Sequence, residues 1–134
     1  MNPNRKFLTS SLLIVSLTLT NLVTEAQAQG QICKDNFNHA LGFYNRGQFE
    51  NINTYVNGCI ENIKNTSNHN YYKDNPNGTI TLFKVYKICI NSYRNLEQGN
   101  LAEQKLNELI LYLNSTREVV EKRLNETPLT PIGD

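Results

Sequence analysis

Net charge and histidine are in short supply in this chain of 134 residues, which carries 13 basic and 12 acidic side chains, two histidines and three cysteines. The balance of charge excludes one class at once. Nucleic-acid binding rests on phosphate neutralisation and shows as a basic excess. The N-terminal leader described below takes Arg5, Lys6 and Glu25 with it, so 11 basic and 11 acidic residues remain and no excess is left. His39 and His69 have no second His or Cys at ligand spacing, so neither predicts a zinc site and both read as surface or satisfied polar groups. No glycine-rich phosphate loop, Walker pattern or Gly-x-Ser-x-Gly elbow occurs. Cys89 with a histidine would make a nucleophilic pair in principle, but Val85, Tyr86, Ile88 and Ile90 around it predict burial, which raises a thiol pKa and blunts reactivity. No catalytic residue, metal ligand or cofactor site is assigned, and the chain reads as non-enzymatic.

A long uninterrupted apolar run is also missing. The stretch from Phe7 to Val23 follows Arg5 and Lys6 and is diluted by Thr9, Ser10, Ser11, Ser16, Thr18, Thr20 and Asn21, whereas a spanning helix needs about twenty mainly apolar residues. It ends in Ala26-Gln-Ala28, a small-x-small cleavage pattern, so residues 1–28 are expected to be a secretory signal. Cys33 stands beyond that site and after Gln-Ile, which argues against lipid anchoring. Residues 29–126 are then expected to form one domain of ordinary size, exported to the periplasm or secreted, with no stable membrane span in the mature chain. Residues 127–134, with two prolines, are expected to be a frayed, disordered tail.

Three cysteines allow three pairings: Cys33 with Cys59, Cys59 with Cys89, and Cys33 with Cys89. In an oxidising compartment a disulfide is the default use of a well-placed pair. If the chain reverses near Arg46 so that Ala40 faces Ile52, Cys33 lies seven residues before the first and Cys59 seven after the second. Seven residues make about two helical turns, so both thiols fall on one seam, and this pairing is favoured. Cys89 is left as a buried thiol acting as a small hydrophobe.

The apolar spacing is helical throughout. Phe37, Ala40, Leu41 and Tyr44 form one face over 32–45, and Gly47 ends that helix. Ile52, Val56, Cys59, Ile60 and Ile63 repeat the pattern over 49–63. The segment 64–78, rich in Asn with Pro76 and Gly78, reads as a long loop and as the most mobile interior segment. A third helix is expected from Thr79 or Thr81 to Glu97, burying Leu82, Val85, Tyr86, Cys89, Tyr93 and Leu96. Gly99 and Asn100 break it, with Asn100 as N-cap. A fourth follows with Leu101, Leu106, Leu109, Ile110 and Leu113. Ser115 to Glu118 fits a capping box that would start a fifth helix, but Val120 and Leu124 also continue the stripe of the fourth, and both readings stand. Sequons at Asn65, Asn77, Asn114 and Asn125 would invite glycans in a eukaryotic secreted protein, and in an Asn-rich chain such triplets also arise by chance; both readings stand.

Ala40, Phe43, Gly47, Phe49, Ile52, Val56 and Cys59 together resemble the tetratricopeptide (TPR) repeat, a helix-turn-helix unit of about thirty-four residues. Tyr86, Cys89, Ile90, Tyr93, Gly99 and Leu101 look like a second, degenerate copy whose turn comes two residues late. In style the chain is similar to exported bacterial proteins. The resemblance implies an all-α fold of two antiparallel hairpins, with an extra C-terminal helix if the fourth breaks, and a concave face that grips a protein or peptide. On that face would lie Lys34 and Asn38 of the first helix and Lys84, Lys87, Asn91 and Arg94 of the third, at three- and four-residue spacing. Such donors are similar to the clamp that some members close on a peptide carboxylate, so an acidic or carboxylate-ended ligand is the expectation. The other reading of these residues is the wet side of an amphipathic helix. The rival function is a small secreted inhibitor or effector acting through His69, Tyr71 and Tyr72 of the 64–78 segment.

Overall fold

The computed structural model describes residues 33–65 and 69–133. The export signal expected over 1–28 and the side chain of His69 lie outside the described residues. Everything described is helix, turn or irregular chain, with no strand. We number the helices α1 (33–45), α2 (Ile52–Asn65), α3 (His69–Asp74), α4 (Pro76–Asn95), α5 (Gly99–Leu113) and α6 (Arg117–Glu126). A 3-10 turn, Phe49–Asn51, leads into α2.

Helices α1 and α2 lie against each other with contacts running in opposite order along the two chains. Cys33 is disulfide-bonded to Cys59 at one end, with Cα atoms 5.1 Å apart. Toward the other end, His39 and Phe43 meet the Tyr55 ring at 4.6 and 5.6 Å between centroids. Phe37, Ala40, Ile52, Val56 and Ile60 are fully buried between them. The α1 helix ends in a Schellman motif: Gln48 N–H donates to Phe43 O (2.9 Å), Gly47 N–H donates to Tyr44 O (3.0 Å), and Gly47 takes φ +73°.

The 64–78 segment differs from its expectation. Residues 69–74 form α3, and Asn75 then caps α4, its Oδ1 accepting from Asn77 N–H and Gly78 N–H (2.9 and 3.3 Å) with Pro76 at the first helical position. The helix therefore starts three residues or more before the expected Thr79 or Thr81. Gly78 is required by close approach, because a Cβ there would stand 2.1 Å from Tyr71 O. Thr79 Oγ1 donates to Tyr72 O or Asn75 O (3.2 and 2.9 Å), and Tyr72 is buried. An Asn-rich composition hid a cap and a close contact.

Helix α4 is the axis of the domain and packs against α2, α3, α5 and α6. Leu82, Phe83, Val85, Tyr86, Ile88, Cys89, Ile90 and Ser92 are all buried, so the helix is covered on nearly every side. It ends at Asn95, two residues before the expected Glu97, and the chain reverses through Glu97 (φ +59°) and not at Gly99. Gln98 N–H donates to Tyr93 O (2.8 Å) and Glu97 N–H to Arg94 O (3.1 Å), while Gly99 already belongs to α5. The turn is therefore not late, and Leu101, assigned above to the apolar face, is exposed. The fourth helix does break: Asn114 adopts φ +51°, and α6 starts after Thr116, whose side chain accepts from Val119 N–H (3.3 Å). The cap is thus one residue past the Ser115 expected for it. Arg117 of α6 is ion-paired with Glu103 of α5, and Val120 and Leu124 return to the core.

Candidate functional site

Helices α1 and α4 bring the sequence-predicted donors toward one region, but the region is not open. The segment 127–133 runs along it. Thr127 O accepts from Lys87 Nζ at 2.6 Å. Lys84 Nζ donates to Thr130 O (2.8 Å), Thr130 Oγ1 (3.0 Å) and Pro131 O (3.2 Å), which uses all three protons of the ammonium group. Asn38 of α1 holds Ile132 from both sides, its Nδ2 donating to Ile132 O (3.0 Å) and its Oδ1 accepting from Ile132 N–H (2.8 Å). Leu129 and Ile132 rest half-buried against the core. Because Lys87 meets residue 127 and Lys84 meets 130 and 131, the segment travels antiparallel to α4.

This is a correction to the frayed tail expected for 127–134: residues 127–133 are held by donors from two helices and by two apolar side chains. The physical reason is non-local. The prolines stop helix formation but leave the carbonyls free to accept, and the donors that use them stand 40 to 94 residues away in the chain.

The fate of each predicted residue follows. Lys84 is buried to 6 % exposure, and that burial lowers its pKa from the ordinary lysine value. It is therefore not part of a wet helical face. Lys87 is half-buried under Thr127. Asn91 donates from Nδ2 to Tyr44 OH (3.3 Å), tying α4 to α1. Arg94 is exposed at the rim of a cleft of about 180 Å³ shared with Lys87, Asn91 and, from α6, Glu121, Leu124 and Asn125. Lys34 lies on α1 one turn before Asn38 and is half-buried. Lys84, Lys87 and Asn38 thus meet main-chain oxygens of 127–132, and Glu121, which lines the adjoining cleft, is ion-paired with Arg117 (3.6 Å). Sequence reasoning missed Thr127, Leu129, Thr130, Pro131 and Ile132, although the doubled triplet Thr-Pro-Leu, Thr-Pro-Ile was there to be seen.

Cys89 is fully buried, and burial pushes its thiol up to about 12, so it stays protonated and out of reach at neutral pH. Among the described residues, no group of three or more His, Cys, Asp and Glu side chains is placed to hold a metal ion, and no helix is long and apolar enough to cross a membrane. No protein-family model matches this chain, and no curated protein or solved structure matches it either.

Proposed function

We propose that this chain is an exported, non-enzymatic helical interaction module of TPR-like type, which binds a protein or peptide partner on the α1/α4 face. One observation carries the reading: that face already holds a peptide segment, 127–133, through Lys84, Lys87 and Asn38. A surface able to dock one segment through main-chain contacts has the chemistry to dock another. Export, to the periplasm or beyond the cell, is supported by the leader pattern of 1–28 and by a disulfide, which persists in oxidising compartments. The rival surface is the 64–78 segment, where Tyr71 is 43 % exposed, but the burial of Tyr72 and the packing of α3 on α4 leave it little reach as a tether.

The two surfaces are separated by placing a photo-crosslinking residue at exposed Arg94 or at Tyr71 in the full chain, expressed in cells that export it. A discrete protein adduct from position 94 supports the groove. Adducts from position 71 alone move the function to α3, and none from either position overturns the interaction reading.

A further inference from the structure

The segment in the groove has a period. Thr127-Pro128-Leu129 and Thr130-Pro131-Ile132 are successive triplets of the form Thr-Pro-apolar, and the lysine-to-carbonyl contact, the exposed proline and the half-buried apolar residue repeat with them, while the threonine hydroxyls differ, Thr127 Oγ1 donating to Arg123 O and Thr130 Oγ1 accepting from Lys84. Thr127 and Thr130 present their carbonyls to Lys87 and Lys84, Pro128 and Pro131 are exposed, and Leu129 and Ile132 are half-buried against the core. A three-residue period is that of the polyproline II helix, in which every third side chain shares a face. Proline suits the outward positions for two reasons: its φ is already fixed near the extended value, and it has no N–H to leave unpaired. The lysines read carbonyl oxygens, which any sequence supplies, and only Lys84 adds a side-chain contact, to Thr130 Oγ1 (3.0 Å), so selectivity falls to that threonine, to the prolines and to the apolar residue that follows each.

Resting on the groove reading above, we propose that the α1/α4 face is a receptor for proline-containing segments of three-residue period, of the form Thr-Pro-apolar, and that the chain's own 127–132 is a cis ligand which a partner's segment must displace. The ligand is extended and uncharged where it is gripped. A segment without apolar residues at the third positions would leave the seats of Leu129 and Ile132 empty. Tethering makes the tail a strong competitor, since a short tether gives an effective concentration in the millimolar range. Against a tail whose intrinsic dissociation constant is on the order of 0.1 mM, a peptide in trans binds about tenfold more weakly than it would to the vacated groove.

The probe is a fluorescent synthetic peptide of sequence Thr-Pro-Leu-Thr-Pro-Ile-Gly, measured by polarisation against the full-length chain and against a full-length Leu129→Asp/Ile132→Asp variant whose tail has lost its apolar seats. The peptide should bind the variant at least tenfold more tightly than the natural chain, and Lys84→Ala in the variant background should remove most of that binding. Amide hydrogen exchange on the natural chain gives a second reading that needs no substitution: excess peptide should speed exchange at the Ile132 N–H, which Asn38 now protects. Equal binding to natural chain and variant overturns the competition. If the Thr-Pro peptide fails on both while an acidic, carboxylate-ended peptide binds in a Lys84-dependent way, the ligand class is wrong and the groove reading survives. Failure of both peptides, with no exchange change at Ile132, overturns the proposal and removes the groove's main support.

Discussion

The turn after α1 and the turn after α4, fifty residues apart, use the same hydrogen bonds on different residues. In each, an N–H reaches five residues back (Gln48 to Phe43, Gln98 to Tyr93) and its predecessor reaches three back (Gly47 to Tyr44, Glu97 to Arg94). Asn45 and Asn95 fall at matching places, as do Gln48 and Gln98. The left-handed residue differs in kind, Gly47 in one and Glu97 in the other. Glycine takes that conformation without penalty, whereas a residue with a Cβ gives up about 1 to 2 kcal/mol. Strain of this sort persists where the surroundings over-determine it, and the surroundings are unequal. Helix α4 is buried on nearly every side, while α1 has one buried face and a covalent staple to α2. The first pair of helices is held by an unstrained turn and a disulfide, the second by core packing that tolerates a strained turn.

The largest expected effect breaks the first pair. Replacing both Cys33 and Cys59 with Ala opens a link across 26 residues of sequence separation, and should cost about 3 kcal/mol in urea unfolding. A loss under about 1 kcal/mol would mean that α1 is anchored mainly by its side chains, Asn38 on the tail and Tyr44 on Asn91 included.

Alkali should act on the other pair. Burial pushes Cys89 from an ordinary value of 9.0 up to about 12, and burial also pushes Tyr72, Tyr86 and Tyr112 upward; all four lie on α3, α4 and α5. The folded chain keeps a Cys89 proton that the unfolded chain releases near pH 9, so this contribution is complete below pH 9 and is lost as pH rises toward 12. Near the middle of that window the loss approaches about 1.4 kcal/mol per pH unit for one such group. Lys84, lowered by burial, works in the opposite sense over its own range. Stability measured from pH 8 to 11 should fall, and Cys89→Ala, though weaker at neutral pH by about 1 kcal/mol of lost packing, should fall less steeply. Parallel profiles would show that Cys89 ionises no differently in the folded state.

The first pair was legible in the sequence and much of the second was not, for a reason the two turns make plain. Gly47 announces its backbone angle, and the seven-residue offsets of Cys33 and Cys59 announce the seam. Glu97 announces nothing, so the reversal was assigned to the nearest glycine, Gly99, two residues on. The donors Lys84 and Lys87 were legible as a stripe by their helical spacing, and Asn38 of α1 was joined to them through the resemblance to a helical repeat. Their occupant was not, since main-chain carbonyls carry no residue type and the pairing spans 40 residues or more. Asn75-Pro76 was a readable start signal that the surrounding asparagines obscured.

Gly47→Ala tests the first turn directly. No heavy atom lies within 4 Å of an added Cβ, so the cost should be the backbone term alone, about 1 to 2 kcal/mol. A larger loss in thermal unfolding would indicate rearrangement of the turn itself.

The smallest effects carry the opposite sign and sharpen the comparison most. Glu97→Gly should relieve the left-handed strain but also loosen the unfolded chain, which offsets part of the gain, leaving about 0.5 to 1 kcal/mol of added stability. Asn114 supplies a third case. It repeats the pattern, with Ser115 N–H on Ile110 O and its own N–H on Leu111 O at φ +51°, but asparagine visits this region more readily than other residues with a side chain. Asn114→Gly should therefore gain less than Glu97→Gly, a few tenths of a kcal/mol, in side-by-side urea melts. If the order were reversed, or if Glu97→Gly destabilised the fold, the Glu97 side chain would have to be making a contact worth more than its backbone strain. The second turn would then be a designed feature and not one tolerated for the sake of the core.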